Sequence, residues 1–321
     1  MSWDRSSMPE QTDSTVVVTG ANSGLGYEAT EAFAGHGADV VMACRSLDRA
    51  EAAAEEIRAT LADGPAWASA PDTGSLTVVE LDLADLDSIA RFAEQFAERF
   101  DELHVLCNNA GVMAVPRGET ADGFERQFGI NHLGHFALTG YLLDHLRDTA
   151  GETRVVTQSS GVHEQGEIEF DDLQRGQSYD KWDAYAQSKL ANLLFAYELD
   201  RRFEAAGENV TSVGCHPGYA DTNLQFRGPE EEGSTLRLLA MKGANAVLGQ
   251  SAAKGALPML FAATEEGISG GEYVGPGGLL NMRGAPEKQE SSAASYDEET
   301  AARLWDVSEE LSGVEYDLPD A

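Results

Sequence analysis

Tyr185 and Lys189 stand four residues apart in the run Tyr185-Ala186-Gln187-Ser188-Lys189. On a helix that spacing puts a phenol and an ammonium on one face, one turn from each other. The ammonium favours the phenolate, so the phenol becomes a better proton donor to a developing alkoxide. The pair alone is a common surface accident, and the motifs around it give it weight. Arg154-Val155-Val156-Thr157-Gln158-Ser159-Ser160-Gly161 reads as a strand that ends in two hydroxyls. A serine there can donate to a carbonyl oxygen and steady the alkoxide that forms. Ser160 is the first choice and Ser159 the alternative. Asn131 lies in Gly129-Ile130-Asn131-His132-Leu133-Gly134-His135, where a buried amide needs partners. It can hold a water next to Lys189, a proton path to solvent. No Cys or carboxylate joins His132 and His135, so no metal is expected. A hydrolytic serine is a weak reading, because His163 lies beyond the strand end and no G-x-S-x-G elbow is present.

A second group of residues suits a dinucleotide. Thr19-Gly20-Ala21-Asn22-Ser23-Gly24-Leu25-Gly26 follows a β-branched run and opens a helix. Glycines there allow a tight turn and let backbone N–H groups approach a pyrophosphate at a helix N-terminus. The bland alternative is an ordinary glycine-rich turn. After the next strand, sites for NAD usually carry an acid for the ribose. This chain has Ala43-Cys44-Arg45 instead. Arg45 can bind a 2′-phosphate and Arg49, one turn on, can assist, so NADP(H) is expected ahead of NAD(H). Asp82-Leu83 ends the third strand, where a carboxylate can accept from an adenine amino group. Asn108-Asn109-Ala110-Gly111 ends the fourth, and its small residues leave room for the cofactor. His216-Pro217-Gly218-Tyr219-Ala220-Asp221-Thr222 follows the sixth, with Pro217-Gly218 turning around the nicotinamide end and Thr222 placed for its carboxamide or the phosphates.

The elements that must position these residues alternate. Strands are expected at 15–19, 38–43, 76–81, 104–107, 154–158, 210–215 and 272–274. Helices are expected near 24–36, 47–62, 85–100, 122–147, 183–206 and 251–264. Such alternation demands parallel strands with right-handed crossovers, hence a single-domain α/β fold with a doubly wound sheet of about seven strands. Residues 1–13 read as a flexible leader. Residues 221–250 join a polar acidic stretch to an apolar one and read as a substrate lid. The tail 284–321 has turn and helix character, with Leu304, Trp305 and Leu311 docking it.

Composition narrows the function classes. The 321 residues hold 55 acids against 22 bases, a net charge of −33. Only five of the bases are lysines. Such a surface repels nucleic acid and anionic membranes. The acids are scattered through periodic apolar segments, which argues against a disordered acidic protein. High ionic strength would screen their mutual repulsion. Cys44, Cys107 and Cys215 lack metal spacing and read as reduced core thiols in a reducing, cytoplasmic setting. No apolar run reaches the roughly 18 residues of a membrane span.

Taken together, these motifs resemble the short-chain dehydrogenase/reductase family over roughly residues 14–282. The retinol-dehydrogenase-like subgroup fits best, through Cys44-Arg45, Asn131-His132-Leu133-Gly134-His135-Phe136, Tyr185-Ala186-Gln187-Ser188-Lys189-Leu190-Ala191-Asn192 and Arg303-Leu304-Trp305. The acidity resembles that of halophilic proteins. The resemblance implies a Rossmann-type domain and a tetrad of Asn131, Ser160, Tyr185 and Lys189. It implies cofactor contacts at Gly20, Gly24, Gly26, Asp82, Asn109 and Thr222, with Arg45 marking NADP(H). The expected reaction is hydride transfer between nicotinamide and a small, apolar carbonyl or alcohol compound, in a dimer or tetramer. Departures are the loop at 65–74, the heavy acidity and the lack of the membrane anchor some relatives carry. Alternatives are a non-enzymatic NADP(H) sensor, a lyase or epimerase, and a reductase of a carbon–carbon double bond. The retained tetrad speaks against the sensor, and the short tail against the lyase or epimerase.

Overall fold

The structure, a computed structural model, describes residues 2–70, 72–218, 251–278 and 281–321. The expected lid at 221–250, with Tyr219, Ala220 and Thr222, lies outside the described residues.

Eight strands form one sheet in the order β3-β2-β1-β4-β5-β6-β7-β8. They are β1 (Thr15–Thr19), β2 (Asp39–Cys44), β3 (Leu76–Glu80), β4 (Val105–Asn108), β5 (Thr153–Gln158), β6 (Val210–Cys215), β7 (Tyr273–Pro276) and β8 (Pro286–Gln289). The first seven run parallel, and β8 pairs antiparallel with β7. Strand order reverses beside β1, which pairs β2 on one side and β4 on the other. Open α/β sheets leave their crevice at that point, outside the carboxyl ends of the strands.

The β-branched run at β1 is buried on both faces because helices cover both. Val16 and Val18 point to one layer and Val17 to the other, the period-two alternation of a strand. On the first face lie α1 (Gly24–Gly35), α2 (Leu47–Ala62), α8 (Ala252–Gly255) and α9 (Leu257–Thr264). Ala29, Phe33, Ile57 and Leu260 fill that layer. On the second lie α3 (Leu86–Ala97), α5 (Gly134–Tyr141) and the 26-residue α7 (Lys181–Ala206). Phe92, Phe96, Phe136 and Phe195 fill that one. The three cysteines are free and buried at strand ends, and burial pushes the Cys107 thiol up to about 12.

Three expectations need correction. Residues 2–13 are not a loose leader. Arg5 pairs with Glu28 and Glu31 on α1, Trp3 donates from its indole to Glu265 at 3.0 Å, and Met8 is buried in the core. The few arginines of an acidic chain find partners readily, and the tryptophan brings apolar area that packs edge-on against Phe261.

The single helix expected at 122–147 is broken. A short α4 (Arg126–Phe128) runs into a π turn at Gly129–Leu133, then α5, then α6 (Leu143–Asp148). The tail also contributes β8, whose Pro286-Glu287-Lys288-Gln289 lacks the β-branched and aromatic residues that mark a strand. It sits at the sheet edge, where charged side chains are favoured. The final helix, α10 (Glu298–Ser312), starts on an Asp297 cap that accepts from Thr300 N–H at 3.0 Å. Leu304 and Trp305 are buried beneath it and Leu311 is partly buried.

Candidate active site

The glycine turn after β1 is built by close approach. Gly20 has φ +68° and Gly24 φ +57°, conformations costly for other residues. A Cβ on Gly26 would stand 2.5 Å from Gly20 O and 2.7 Å from Asn109 Nδ2. The backbone thus comes into a tight coil before α1, with Asn22, Ser23 and Leu25 on it. Ser23 caps α1 without a side-chain hydrogen bond of its own.

Next to this coil is a cavity of about 100 Å³ lined by Gly20, Asn22, Ala43, Arg45, Ser46, Arg49, Leu81, Asp82, Leu83, Ala110, Gly111, Val112 and Ile130. Eleven of the expected cofactor residues lie in this wall or the coil that forms it, on turns that follow four different strands. Arg45 and Arg49 are exposed and make no ion pair among the described residues. Asp82 Oδ1 accepts from Ala84 N–H at 3.0 Å, which holds the turn after β3, and Asp82 lines the cavity. The coil and the wall fit a dinucleotide whose ribose carries a phosphate, with Arg45 and Arg49 to hold that group.

The Thr19 hydroxyl ties the wall together, a role the sequence reading missed although Thr19 begins the glycine motif. It accepts from Asn109 N–H and Ala110 N–H, both at 2.9 Å. Asn109 Nδ2 returns to Thr19 O at 2.7 Å. The same hydroxyl lies 3.0 Å from His135 Nε2, and His135 Nδ1 lies 3.0 Å from Asn131 O. A carbonyl only accepts, so the imidazole proton is on Nδ1 and Thr19 donates to Nε2. Burial holds His135 down at about 4, and it stays neutral. His132, held at about 3 by burial, bonds Ser308 on α10 at 2.8 Å. Both histidines are therefore structural. Among the described residues no group of three His, Cys, Asp or Glu side chains is placed to hold a metal.

The π turn exists around Asn131. Its Oδ1 accepts from Val112 N–H at 2.8 Å, and its Nδ2 donates to Val112 O and to Ser188 Oγ, both at 2.9 Å. The amide clamps the turn after β4 to α7. Gly111 sits in this clamp: a Cβ there would lie 3.0 Å from Asn131 Oδ1 and 3.7 Å from Lys189 Nζ.

Tyr185 and Lys189 occupy the first half of α7, which starts on Asp180 accepting from Trp182 and Asp183 N–H. Both are buried, and the ammonium lies 5.9 Å from the centre of the phenol ring. Lys189 Nζ donates to Gln158 O at 3.0 Å, at the carboxyl end of β5. Burial pushes Lys189 down to about 8 and Tyr185 up to about 12, while a hydrogen bond with Ser160 acts against the rise of the phenol. Burial is the larger of the two influences on the phenol.

The two serines separate cleanly. Ser159 is buried and donates to Lys189 O at 2.7 Å, which spends its hydroxyl on α7 backbone. Ser160 is not spent in that way: its hydroxyl only accepts from Val162 N–H at 3.4 Å, and its side chain acts against the rise of the Tyr185 phenol. The geometry therefore brings Ser160, Tyr185 and Lys189 together, with Asn131 joined to them through Ser188. On the opposite side Gly218, with φ +65°, turns the chain after β6 against Met282 and Pro276. Pro217 precedes it, and Thr222 lies outside the described residues.

The sequence profile described as short chain dehydrogenase matches residues 14–233. The chain belongs to that family. Membership makes it a nicotinamide-dependent oxidoreductase of alcohol and carbonyl groups. Retinol dehydrogenase 14 of Mus musculus is 41% identical over 307 residues, covering 94% of this chain and 86% of that protein. The crystal structure of an uncharacterized protein from Mycobacterium Paratuberculosis is 39% identical with a TM-score of 0.78, covering 98% of this chain and 99% of the other. A gluconate 5-dehydrogenase structure from Beutenbergia cavernae, described as NAD(P) dependent and holding NADP at low occupancy, is 26% identical with a TM-score of 0.57. It covers 80% of this short-chain dehydrogenase and 91% of its own chain.

Proposed function

We propose that this short-chain dehydrogenase uses NADP(H) to interconvert an apolar primary or secondary alcohol and its aldehyde or ketone, with Tyr185 as general acid and base. The observation that carries the reading is the buried Tyr185 phenol one helical turn from Lys189, whose ammonium lies 5.9 Å from the ring centre, with Ser160 at the adjoining end of β5. The glycine coil at Gly20–Gly26, the wall residues Asp82, Leu83, Ala110 and Gly111, Asn109 against the coil, and the Pro217–Gly218 turn are the residues to hold the dinucleotide. Arg45, unpaired among the described residues, is the residue for the 2′-phosphate. When bound, the nicotinamide supplies or accepts the hydride.

The chain's own residues do the rest. Ser160 donates to the carbonyl oxygen and orients it. Tyr185 gives that oxygen its proton in reduction and takes a proton from the hydroxyl in oxidation. A phenol held near 12 is fully protonated at neutral pH, which suits the reductive direction. Lys189 is the donor for the ribose hydroxyls. The apolar substrate class is supported by the relatives named for retinol, an apolar primary alcohol.

The test is a panel of aliphatic and aromatic aldehydes, ketones and secondary alcohols, followed at the nicotinamide absorbance band. Tyr185→Phe removes only the proton donor. Turnover on the best panel substrate should fall by roughly 10² or more while NADPH still binds. Near-normal turnover in that variant would remove the mechanism.

A further inference from the structure

His163 lies in the 3-10 turn Gly161–Gln165 that leaves the end of β5, and it is 2% exposed. Its Nδ1 is 2.7 Å from Ser160 O, and its Nε2 is 3.1 Å from Ser292 N. A carbonyl only accepts and an amide N–H only donates, so the proton is on Nδ1 and the lone pair on Nε2. The ring is therefore a neutral bridge with a fixed tautomer. Burial, acting against the Ser160 hydrogen bond and the charge of Glu164, keeps it below the usual histidine range.

The two ends of the bridge differ in what they join. Ser160 carries the hydroxyl assigned to the carbonyl oxygen; it stands at the end of β5 and accepts from Val162 N–H at 3.4 Å. Ser292 follows β8 and caps the short turn Ala293–Tyr296. That segment is itself anchored on α7: Ser291 Oγ lies 2.8 Å from Tyr197 Oη, and the Tyr197 and Tyr296 rings stack at 5.1 Å. The ring of His163 also stands edge-on against Tyr273 of β7 at 5.5 Å. Its position is thus set from several elements at once.

We propose that His163 is a positioning residue: its bridge from Ser160 O to Ser292 N–H sets where the Ser160 hydroxyl stands against Tyr185, so that the segment 286–296 is part of the active-site support. This rests on the reading of Ser160 as the group that orients the carbonyl. A misplacement of about 1 Å in such a group can cost up to roughly 10²-fold in rate. The C-terminal edge of the sheet then controls the rate of the chemical step without touching substrate.

Two variants cut the bridge from opposite ends. His163→Ala removes the ring. Ser292→Pro removes the N–H together with a hydroxyl that makes no hydrogen bond, and the backbone is already suited, because Ser292 has φ −68°, the value a proline ring imposes. Measure kcat and KM on the best substrate of the panel, the Kd for NADPH by fluorescence, and the melting temperature. Each variant should lower kcat roughly tenfold or more while the NADPH Kd stays within about twofold. The double variant should lose no more than His163→Ala alone, because both changes break one connection. His163→Asn, which keeps a donor near the Nδ1 position, should recover part of the rate.

A kcat within about twofold of the parent in both single variants, with Ser160→Ala inactive, would overturn the bridge and leave the serine's role intact. Losses that multiply in the double variant, or that equal the loss of folded protein, would also overturn it. Full turnover in Ser160→Ala would instead sink the reading on which the bridge rests.

Discussion

At the scale of single residues, the site is organised by what burial does to charge. Lys189 is held at about 8 because water is excluded from it. It is an ammonium below that pH and an amine above it. A charged donor binds a hydroxyl more strongly than a neutral one, by about 1 kcal/mol. The Kd for NADPH should therefore rise about fivefold as pH goes from 7 to 9, and Lys189→Met should bind weakly with no such rise. Fluorescence titration at the two pH values checks it, and a flat parent profile would show that the ammonium is not used.

Arg45 lines the cavity beside the glycine coil. It is exposed, so its pairing with a 2′-phosphate is partly screened and should contribute about 1–2 kcal/mol. Arg45→Ala should cut the preference for NADPH over NADH about tenfold, read from the two Kd values. An unchanged ratio would move the discrimination elsewhere. Most of these residues could be read from sequence, because Tyr185, Lys189, Ser160 and the glycines belong to motifs with fixed spacing. The acceptors that hold them could not. Gln158 O under Lys189 and Val112 N–H on Asn131 are backbone groups, and no residue type announces them.

At the scale of elements, the alternation of apolar runs and amphipathic stretches carried the seven parallel strands and the helices between them, because each buried strand must be β-branched and each crossover long. It failed where tertiary contacts override the local pattern. The π turn at Gly129–Leu133 follows from the ties of Asn131 to Val112 and Ser188, on elements far away in sequence. Strand β8 follows from its pairing with β7 rather than from its own four residues.

The docking of α10 was legible because Trp305 is a large apolar group on a helix otherwise rich in acids. Its ring packs against Phe136, Phe195 and Tyr316, with the Arg202 guanidinium 4.5 Å from its centre. Trp305→Ala should cost about 3–5 kcal/mol of stability. Urea unfolding followed by circular dichroism at molar salt would show it as a lower midpoint. A loss under about 1 kcal/mol would mean that α10 contributes little to the core.

At the scale of the whole molecule, 55 acids and 22 bases leave a net charge of −33. The pairs that exist show how the bases are used. Arg5 ties the N-terminal segment to Glu28 and Glu31. Arg202 joins Glu198 to Asp320 near the C-terminus, and Arg147 reaches Glu208. Most carboxylates are left facing water and each other. Their repulsion is short-ranged at high salt and long-ranged in dilute buffer, since the Debye length grows from about 3 Å at 1 M to about 30 Å at 0.01 M. At the lower salt every carboxylate acts on charges across the molecule, which disfavours the compact state and the approach of an anionic cofactor. Folding and turnover should therefore require molar-scale KCl or NaCl and be lost on dialysis into dilute buffer. Far-UV circular dichroism and NADPH-linked turnover from about 0.05 to about 3 M salt span the two regimes. The two readouts also separate the causes. Loss of the circular dichroism signal together with activity places the repulsion within the fold, whereas a folded protein whose turnover is restored by raising NADPH places it between protein and cofactor. A chain that stays folded and fully active at the lowest salt would show that its acidity serves neither, and the screening account would fall while the assignment of the Tyr185 site stood.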